Sequence, residues 1–417
     1  MNPAYPSQQA LIVGGGIGGL AAALALSQVG RACAVFEQAA QFAEIGAGLQ
    51  VSPNAMRRLH ALGLASALAH VASFPSQLQV RSAASGAVVG SLPLGDAAVQ
   101  RYGAPYATLH RADLHALLLA AVKATPTQLR THCVFNQYSE TPHSARVIAN
   151  HVPHEGAFVL GADGVRSAVR QQLLGDGAPR VAGQVVYRAL ALQSALPEAL
   201  RSTQITVWLG PAVHVVAYPV RGGALLNVAA IVHGRLTQSS IAQDSLVQDL
   251  LAQDSLVQNS GNWDQSVHTS AVHAALRRMC TPLNDLIHAL PQWQAWTVYD
   301  REPIANAHAM AQGRVALLGD AAHPMRPYLA QGAGMAIEDA VSLAQAIQGM
   351  GSVAANTIPA ALQHYARSRW LRCAQVQRRA KRNGVLFHLP APLSWARDAA
   401  IGCLGQRVLD VPWLYKG

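Results

Sequence analysis

The first part of the chain alternates short apolar runs with a longer helical pattern. Residues 10–13 (ALIV) form an unbroken apolar run, typical of a buried strand, and a cluster of glycines follows it. The next segment, LAAALALSQVG (20–30), has the Ala/Leu composition of a helix that ends at Gly30. ACAVFEQ (32–38) then predicts a second strand. Together these segments predict a β-α-β unit.

The same alternation continues through residue 175. SPNAMRRLHALGL (52–64) begins with Ser-Pro and ends near Gly63, as a capped helix does, and HRADLHALLLAAVKA (110–124) has a second helical pattern. GAFVLGADGVRSAVRQQLLG (156–175) predicts a strand, a turn and a helix. These segments extend an α/β domain.

Between residues 183 and 232 the pattern changes to short β-type runs separated by turns. The runs are QVVYRALALQ, QITVWLG, HVVAYPVRGG and LLNVAAIV, which predict an antiparallel sheet inserted into the α/β domain. The α/β pattern returns at GRVALLGD, so that domain is discontinuous, and a mostly helical region ends the chain. The predicted parts are 1–182 and 281–354 for the nucleotide-type domain, 183–280 for the inserted substrate sheet, and 355–417 for the helical region.

Composition excludes several classes of protein. Hydrophobic residues make up 51% of the 417 residues and charged residues 12%, so the chain can bury a large core and is not disordered. No run approaches the ~18 apolar residues of a membrane span, and no secretory signal is visible at the start. The five cysteines are scattered, odd in number and without metal-ligand spacing, which fits a reduced cytoplasm.

The net charge of +10 indicates an attraction for anionic small molecules more than for nucleic acid. Basic residues are dispersed except in ARSRWLRCAQVQRRAKRNG (366–384), and no aromatic platform or groove-reading motif accompanies them. We interpret that segment as one long helix with a solvated basic face. The heptapeptide AQDSLVQ occurs at 242–248 and again at 252–258, and we interpret it as a duplicated helix-forming segment without catalytic meaning.

The glycines after the first strand carry the first chemical signal. Gly14, Gly16 and Gly19 form the pattern GxGxxG between a strand and a helix. Glycine lets the backbone turn tightly and approach a pyrophosphate, which the helix N-terminus then attracts. Glu37 closes the second strand, where a carboxylate can accept hydrogen bonds from an adenosine ribose. This order favours dinucleotide binding over a purely structural turn, without distinguishing FAD from NAD.

Four segments resemble the single-component flavoprotein aromatic hydroxylases, the p-hydroxybenzoate hydroxylase-like family. They are EIGAGLQVSPNAMRRLHALGL (44–64), HRADLHALL (110–118), GADGVRSAVR (161–170) and GRVALLGDAAHPMRPYLAQGAGMAIEDA (313–340). The resemblance implies FAD as the cofactor, NADH or NADPH as a transiently docked co-substrate, and dioxygen. The implied fold is α/β, with a discontinuous Rossmann-like FAD-binding domain, an inserted antiparallel-sheet substrate domain and a helical C-terminal part.

The resemblance also implies cofactor-binding roles for individual residues. Asp320 matches an acid that binds the flavin ribityl chain, although a helix N-cap is the alternative. Arg111 matches an arginine that reaches the FAD pyrophosphate, with a surface salt bridge as its alternative, and Asp163 matches the acid of a DG pair that contributes to FAD and pyridine-nucleotide binding. A helix beginning near Gly334 would direct its N-terminus at the pyrimidine edge of the flavin. The candidates in this turn are Gly332, Ala333 and Gly334.

The strand-like run HVVAYPV carries the candidate catalytic residues, His214 and Tyr218. Strand alternation would place both on one face with Val216. In salicylate- and 3-hydroxybenzoate-type hydroxylases, which this segment resembles, a histidine in a similar setting lies near the substrate phenol. A histidine can take the phenol proton and make the ring more nucleophilic, and a core histidine bonded to backbone is the alternative. Further pocket candidates are Gln50, Tyr187, Arg188 and His323, and no histidine spacing suggests a metal.

The sequence therefore predicts an enzyme, an FAD-dependent monooxygenase. The predicted reaction is hydroxylation of a small aromatic acid, of the salicylate or 3-hydroxybenzoate type, through a flavin C4a-hydroperoxide. The enzymatic alternatives are a 6-hydroxynicotinate-type hydroxylase and a quinone-biosynthesis FAD hydroxylase, and the non-enzymatic one is an FAD-binding partner protein. The expected partners are the aromatic substrate and dioxygen, and neither nucleic-acid binding nor a membrane span is expected. The sequence leaves open whether the chain forms a homodimer.

Overall fold

The predicted β-α-β unit is present in the computed structural model of the chain, which describes residues 8–43, 47–237, 240–241, 265–277, 279–349 and 357–417. Strands β1 (Ala10–Val13) and β2 (Cys33–Phe36) are parallel neighbours, and helix α1 (Ile17–Gln28) joins them. Every residue of both strands is buried, as in parallel sheets that are covered on both faces. This burial explains the unbroken apolar runs in the sequence.

The remaining elements follow in chain order. The strands are β3 (Gly48–Val51), β4 (Gln77–Ser82), β5 (Val88–Pro93), β6 (Ala107–His110), β7 (Gln128–Arg130), β8 (Phe135–Glu140), β9 (Ala145–Ala149), β10 (Val152–Gly156), β11 (Phe158–Gly161), β12 (Arg180–Leu192), β13 (Ile205–Gly210), β14 (Val213–Val220), β15 (Leu225–His233), β16 (Gln265–Val267), β17 (Trp293–Asp300), β18 (Ala311–Gln312) and β19 (Val315–Leu317). The helices are α2 (Pro53–Ala61), α3 (Ala65–Val71), α4 (Gly95–Tyr102), α5 (Arg111–Lys123), α6 (Ala168–Leu174), α7 (Thr269–Ala275), α8 (Thr281–His288), α9 (Ala307–Met310), α10 (Gly332–Gln348), α11 (Ile358–Phe387), α12 (Leu393–Leu404), α13 (Gln406–Leu409) and α14 (Pro412–Tyr415).

The nucleotide-type domain is built on a six-stranded sheet with the order β18-β19-β11-β1-β2-β7. All its neighbouring strands are parallel except β18 and β19. Helix α1 packs against α5 and α10, and α10 packs against α11. Strand β19 pairs with β11 although six strands of another sheet, β12 to β17, lie between them in the chain. The predicted discontinuous α/β domain is therefore confirmed.

The predicted inserted strands are β12, β13, β14 and β15, within an eight-stranded sheet ordered β16-β17-β12-β15-β14-β13-β4-β5. Its neighbours are antiparallel except β13 and β4, which are parallel. The strands β4, β5 and β17 join it from outside residues 183–280, and the division of the chain at 183, 281 and 355 stays a prediction. One face packs on α7 and α8, and the other meets β3 and the end of α11.

The C-terminal region is helical, as predicted, and the basic segment lies in a single helix, α11. The expectation of a solvated basic face is wrong for Arg369, which is buried and paired with Glu338 and Asp339. The helix crosses beneath α10, so one of its basic positions faces the interior. The AQDSLVQ repeats lie outside the described residues. Within the described part of the chain, no helix combines the length and apolarity needed to cross a bilayer.

Candidate active site

Four adjacent strands of the six-stranded sheet end at the same level. Val13 at the end of β1 lies opposite Phe36 of β2 and Gly161 of β11, and Gly161 lies opposite Leu317 of β19. The loops after these ends meet at one edge of the sheet, which is where open α/β sheets bind ligands. The predicted residues brought to this edge are Gly14, Gly16, Gly19, Glu37, Asp163 and Asp320.

At two of the motif's three glycines, the surrounding backbone leaves no room for a side chain. The backbone of Gly14 has a φ of +107°, and a Cβ atom added there would lie 2.4 Å from the carbonyl oxygen of Ala162. A Cβ atom on Gly19 would lie 2.0 Å from the carbonyl oxygen of Gly14. Gly16 is the N-cap of α1 and offers no side chain to cover the first-turn N–H groups. This close-packed turn at the positive end of a helix fits a pyrophosphate.

The carboxylate of Glu37 closes one side of the glycine loop. Its Oε2 accepts the N–H of Gly15 at 2.7 Å, and its Oε1 accepts the N–H of Ala39 at 2.9 Å. The fold therefore brings the predicted acid beside the predicted glycines. His115, which the sequence did not single out, also braces the loop, because its buried Nε2 lies 2.9 Å from the carbonyl oxygen of Gly15.

Asp320 lies exposed on a 3-10 turn, Gly319–Ala321, directly after β19. A Cβ atom added to Gly332 would lie 4.0 Å from its Oδ1, so the carboxylate stands next to the first turn of α10. Gly332, Ala333 and Gly334 form that turn, and the helix begins two residues earlier than the predicted start near Gly334. A carboxylate acceptor and the positive end of a helix dipole therefore lie side by side, an arrangement that suits a ligand with hydroxyl groups and negative charge.

Arg111 and Asp163 are both engaged with the protein. Arg111 is the first residue of α5, half-buried, and its N–H donates to the carbonyl oxygen of Ala47 at 2.8 Å. The carboxylate of Asp163 caps α6, because Oδ1 accepts the hydroxyl of Ser167 at 2.5 Å and Oδ2 accepts the N–H of Ala168 at 2.8 Å. Asp163 thus has a structural task at this edge, and its part in cofactor binding stays a prediction.

His214 and Tyr218 lie buried on one face of β14, away from the core shared by its neighbours in the strand. Nδ1 of His214 lies 2.9 Å from Nε2 of His388, the C-cap of α11, and its ring centre lies 5.0 Å from that of Tyr328. Among the described residues, nothing hydrogen-bonds to its other ring nitrogen, Nε2. Burial, with a smaller effect of His388, lowers the pKa of His214 well below its ordinary value, so the ring is neutral at neutral pH.

Tyr218 lies against β3, which pairs with β6 in a separate two-stranded sheet. A Cβ atom added to Gly48 would lie 2.4 Å from Cε2 of Tyr218 and 2.8 Å from its hydroxyl oxygen. The N–H of Gly48 donates to Oδ1 of Asn227 at 2.8 Å, and Asn227 lies opposite Tyr218 on β15. Burial raises the pKa of Tyr218 despite the opposing charge of Arg188, so its phenol is protonated. The absence of a side chain at Gly48 is what lets β3 lie on this face.

The structure shows on which strand and which face three of the further pocket candidates lie. Gln50 on β3 accepts a hydrogen bond from the hydroxyl of Tyr106 at 2.8 Å. Arg188 belongs to the face that carries His214, because directly paired positions of β12, β15 and β14 share a face. Tyr187 points to the opposite face, into the core beneath α7 and α8. Tyr187 is therefore not a pocket residue on the His214 side, because neighbouring residues of a strand alternate between faces.

His323 belongs to a buried ion network beneath the turn that follows β19. Its Nε2 lies 2.5 Å from Oδ2 of Asp339, which also accepts the N–H of Gly319 at 3.1 Å. Arg369 donates to Asp339 at 2.7 Å and to Glu338 at 2.6 Å. Burial alone would raise the pKa of both acids, but their cationic partners lower both to about 2. The sequence signal for this network is a pair of adjacent acids within a largely apolar helix.

Comparisons with known proteins agree with this geometry. A family model described as "FAD binding domain" matches residues 7–380. The 3-hydroxybenzoate 6-hydroxylase of Polaromonas naphthalenivorans is 37% identical over 409 residues, 97% of this chain and 95% of that protein. The 6-hydroxynicotinate 3-monooxygenase of Pseudomonas fluorescens is 32% identical over 411 residues, 97% of each protein. The structure of Klebsiella pneumoniae HpxO with FAD and uric acid matches with a TM-score of 0.80 at 25% identity, covering 96% of this chain and 94% of that one.

The family match spans most of the chain, and the relatives match it almost from end to end. The predicted enzyme class, the FAD cofactor and the NADH or NADPH co-substrate are confirmed by this membership. Because these relatives are a hydroxylase and a monooxygenase, the similarities favour an enzyme over a non-catalytic flavin-binding protein. The chain belongs to the FAD-dependent aromatic hydroxylases, monooxygenases in which FAD, reduced by NADH or NADPH, activates dioxygen to hydroxylate an aromatic ring.

Proposed function

We propose that the chain hydroxylates a small phenolic carboxylate, with 3-hydroxybenzoate as the first candidate, on the face of β14 that carries His214 and Tyr218. The observation that carries this proposal is the position of His214. Its Nδ1 is held by His388, while its Nε2 has no hydrogen-bond partner among the described residues. Its ring also packs on Tyr328, in the loop between Asp320 and α10. His214 thus borders both the sheet face and the proposed flavin loop.

The residues at the edge of the parallel strands fit FAD. The glycine loop and the start of α1 would hold the pyrophosphate, and Glu37 would bind the adenosine ribose. Asp320 would bind the ribityl hydroxyls beside the first turn of α10. When bound, FAD would accept a hydride from NADH or NADPH and, once reduced, would activate dioxygen. The residues proposed to bind FAD are Gly14, Gly16, Gly19, Glu37, Arg111, Asp163, Asp320, Gly332, Ala333 and Gly334.

The proposed task of His214 is to accept the proton of the substrate hydroxyl at Nε2. A deprotonated hydroxyl makes the ring carbon more nucleophilic, and a positioned base provides this without strong alkali. Because burial keeps the imidazole neutral, Nε2 is an acceptor at neutral pH. Tyr218, protonated and on the same face, would orient the substrate by donating a hydrogen bond.

A carboxylate on the substrate is supported by the charge of this face. Arg188 pairs with Ala229, which pairs in turn with Val216, the residue between His214 and Tyr218 on their side of β14. A guanidinium there and the net charge of +10 favour an anionic substrate. Similarity to a 3-hydroxybenzoate 6-hydroxylase supports the same class.

6-Hydroxynicotinate is the second candidate. A relative named for that substrate matches over nearly its whole length. The compound also combines a ring hydroxyl with a carboxylate, so the same base and the same cationic face would serve it.

The test is to offer the FAD-loaded protein salicylate, 3-hydroxybenzoate, 6-hydroxynicotinate and a neutral long-chain phenol, each with NADH and with NADPH. We expect 3-hydroxybenzoate to accelerate NAD(P)H oxidation and to give a hydroxylated acid without release of carbon dioxide. Carbon dioxide release from 6-hydroxynicotinate would support the second candidate. If only the neutral phenol accelerates oxidation, the aromatic-acid proposal is wrong, and the quinone-pathway alternative replaces it.

The proposed setting is the reducing cytoplasm, with one chain as the catalytic unit. All five cysteines are free thiols, and three of them, Cys33, Cys280 and Cys373, are buried. Free thiols are typical of reducing compartments. All proposed site residues come from one chain, and neither nucleic acid nor a second copy is needed to complete the site.

A further inference from the structure

Three histidines form a line from the interior of the protein to its surface. Nδ1 of the buried His214 lies 2.9 Å from Nε2 of His388. The ring centre of His388 lies 4.8 Å from that of His233, in an edge-to-face arrangement. His233 ends β15 and is exposed to solvent. The line therefore begins at the face proposed to hold the substrate and ends in water.

Backbone contacts hold the last two members of this line together. The N–H of Ala212 donates to the carbonyl oxygen of His388 at 3.2 Å, and the N–H of His233 donates to the carbonyl oxygen of Ala212 at 3.1 Å. Nδ1 of His388 is buried and has no hydrogen-bond partner among the described residues. Buried polar atoms almost always have a partner, and with the ring centres 4.8 Å apart one bridging water would join Nδ1 of His388 to the imidazole of His233.

We propose that His388 and His233 carry the proton of the substrate hydroxyl from His214 to solvent. This inference rests on the proposed function, in which Nε2 of His214 accepts that proton. As Nε2 of His214 gains the proton, its Nδ1–H proton passes to Nε2 of His388. The Nδ1–H proton of His388 then passes to His233 and to water. Each neutral ring gains one proton and loses one, so no charge accumulates.

The charges around His388 favour passing a proton on to the next group over holding it on the His388 ring. The pKa of His388 is lowered to about 4, mainly by burial and then by His233 on β15 and Arg397 on α12. Arg397 is anchored there, because it donates to the carbonyl oxygen of Phe387 at 2.6 Å and forms an ion pair with Asp398 at 2.8 Å. His214 on β14 and the phenol of Tyr328 are the other titratable groups that face it, and no carboxylate contacts it among the described residues. A proton would not remain on either buried ring.

The test compares His388→Gln and His233→Gln with the control His288→Gln, all loaded with FAD. A glutamine at 388 can still accept the hydrogen bond from Nδ1 of His214, but it cannot pass a proton on. His288 is exposed at the end of α8, so its replacement removes a surface histidine far from the line. The measurement is the rate of product formation against pH, with FAD content and substrate Kd as checks on folding and binding.

We expect His388→Gln to slow product formation roughly tenfold at neutral pH, with unchanged substrate Kd, and to make the rate rise with pH where the wild-type rate is flat. His233→Gln should show a smaller loss that added imidazole restores. His288→Gln should match the wild type. If His388→Gln fails to bind FAD, the exposed His233→Gln and its rescue by imidazole decide the question.

Wild-type rates and pH profiles in both line variants, with His214→Ala impaired, would overturn the proton path while leaving His214 as the base. Wild-type rates in His214→Ala as well would overturn the proposed function itself. Equal losses in His288→Gln would also contradict the path, because that variant leaves the line intact.

Discussion

Nε of Arg369 donates a hydrogen bond to Oδ1 of Asp339 across 2.7 Å, where both side chains are buried. The contact ties α11 to α10, the helix whose first turn lies beside Asp320. A side chain from the basic segment therefore supports the loop that is proposed to hold the flavin.

Replacing this arginine should destabilise the protein strongly. We expect Arg369→Leu to lower the free energy of unfolding by about 3–5 kcal/mol, because buried Asp339 would keep only His323 as a cationic partner, and buried Glu338 only Arg372. Urea unfolding of the FAD-loaded protein measures this. The control is Arg367→Leu, an exposed position on the same helix, which should change the free energy by less than about 0.5 kcal/mol. Equal effects of the two substitutions would show that the buried ion pairs do not stabilise the fold.

The same acids should make the protein sensitive to acid. Their pKa values in the folded protein are about 2, against ordinary values of 3.8 for Asp339 and 4.5 for Glu338. A carboxyl group whose pKa is lowered by folding stabilises the protein above its ordinary pKa, and this stabilisation is lost as the pH falls toward the folded value. We expect the free energy of unfolding to fall by roughly 2–3 kcal/mol for each group between about pH 5 and pH 2. In Glu338→Gln the fall should be shallower, and an unchanged slope would contradict the assignment.

The glycine loop should tolerate no side chain at Gly14. Gly14→Ala places a Cβ atom 2.4 Å from a carbonyl oxygen in a backbone with φ +107°, so the loop must shift. We expect this variant to lose bound FAD and several °C in Tm. Gly30→Ala is the matched control, because it has a similarly left-handed φ of +77° but open space around its Cβ. Its cost should be about 1 kcal/mol, from backbone strain alone, with FAD content unchanged. Full FAD content in Gly14→Ala would remove this loop from the cofactor site.

Asp320→Ala should weaken FAD binding without unfolding the protein, because the side chain is exposed and lies beside the first turn of α10. The expected cost is roughly 1.5–3 kcal/mol, the value of a hydrogen bond to a charged group. Titration of the apoprotein with FAD, followed by flavin fluorescence, gives the Kd. Glu198→Ala, at an exposed acid on a distant turn, should leave the Kd unchanged. An unchanged Kd in Asp320→Ala would instead assign this acid to the helix N-terminus alone.

His214→Ala should separate cofactor binding from ring hydroxylation. FAD content should be normal, because His214 contacts the sheet and α11 and lies away from the glycine loop. Product formation should fall roughly a hundredfold, since a positioned base is lost, and more hydrogen peroxide should form for each NAD(P)H consumed. His60→Ala, at an exposed histidine of α2, is the control. Normal coupling in His214→Ala at neutral pH would make His214 a structural histidine.

The local sequence pattern was enough to predict the first β-α-β unit, its glycine loop and the face of β14 that carries His214. The run ALIV, the glycines and the following Ala/Leu segment specify β1, the loop and α1 from neighbouring residues alone. Glu37 could be placed beside the glycines because parallel strands joined by one helix end at the same edge of a sheet. Alternation along β14 likewise put His214 and Tyr218 on one face, since the side-chain period of a strand is a property of the backbone.

Tertiary structure decided which distant residues meet. His388 contacts His214 although 174 positions separate them in the chain. Nothing in the sequence around His388 indicates that the end of this helix packs against β14. From the sequence, Arg369 is one of several cations on a helix predicted to have a solvated basic face. In the structure α10 packs against this helix and places Glu338 and Asp339 beside Arg369. Tyr187 and Arg188 are neighbours in sequence, but only the docking of the sheet decided which of them faces the site. Such pairings depend on how whole elements pack, and burial then sets the charge and the pKa of the groups that meet, so neither can be derived from local sequence.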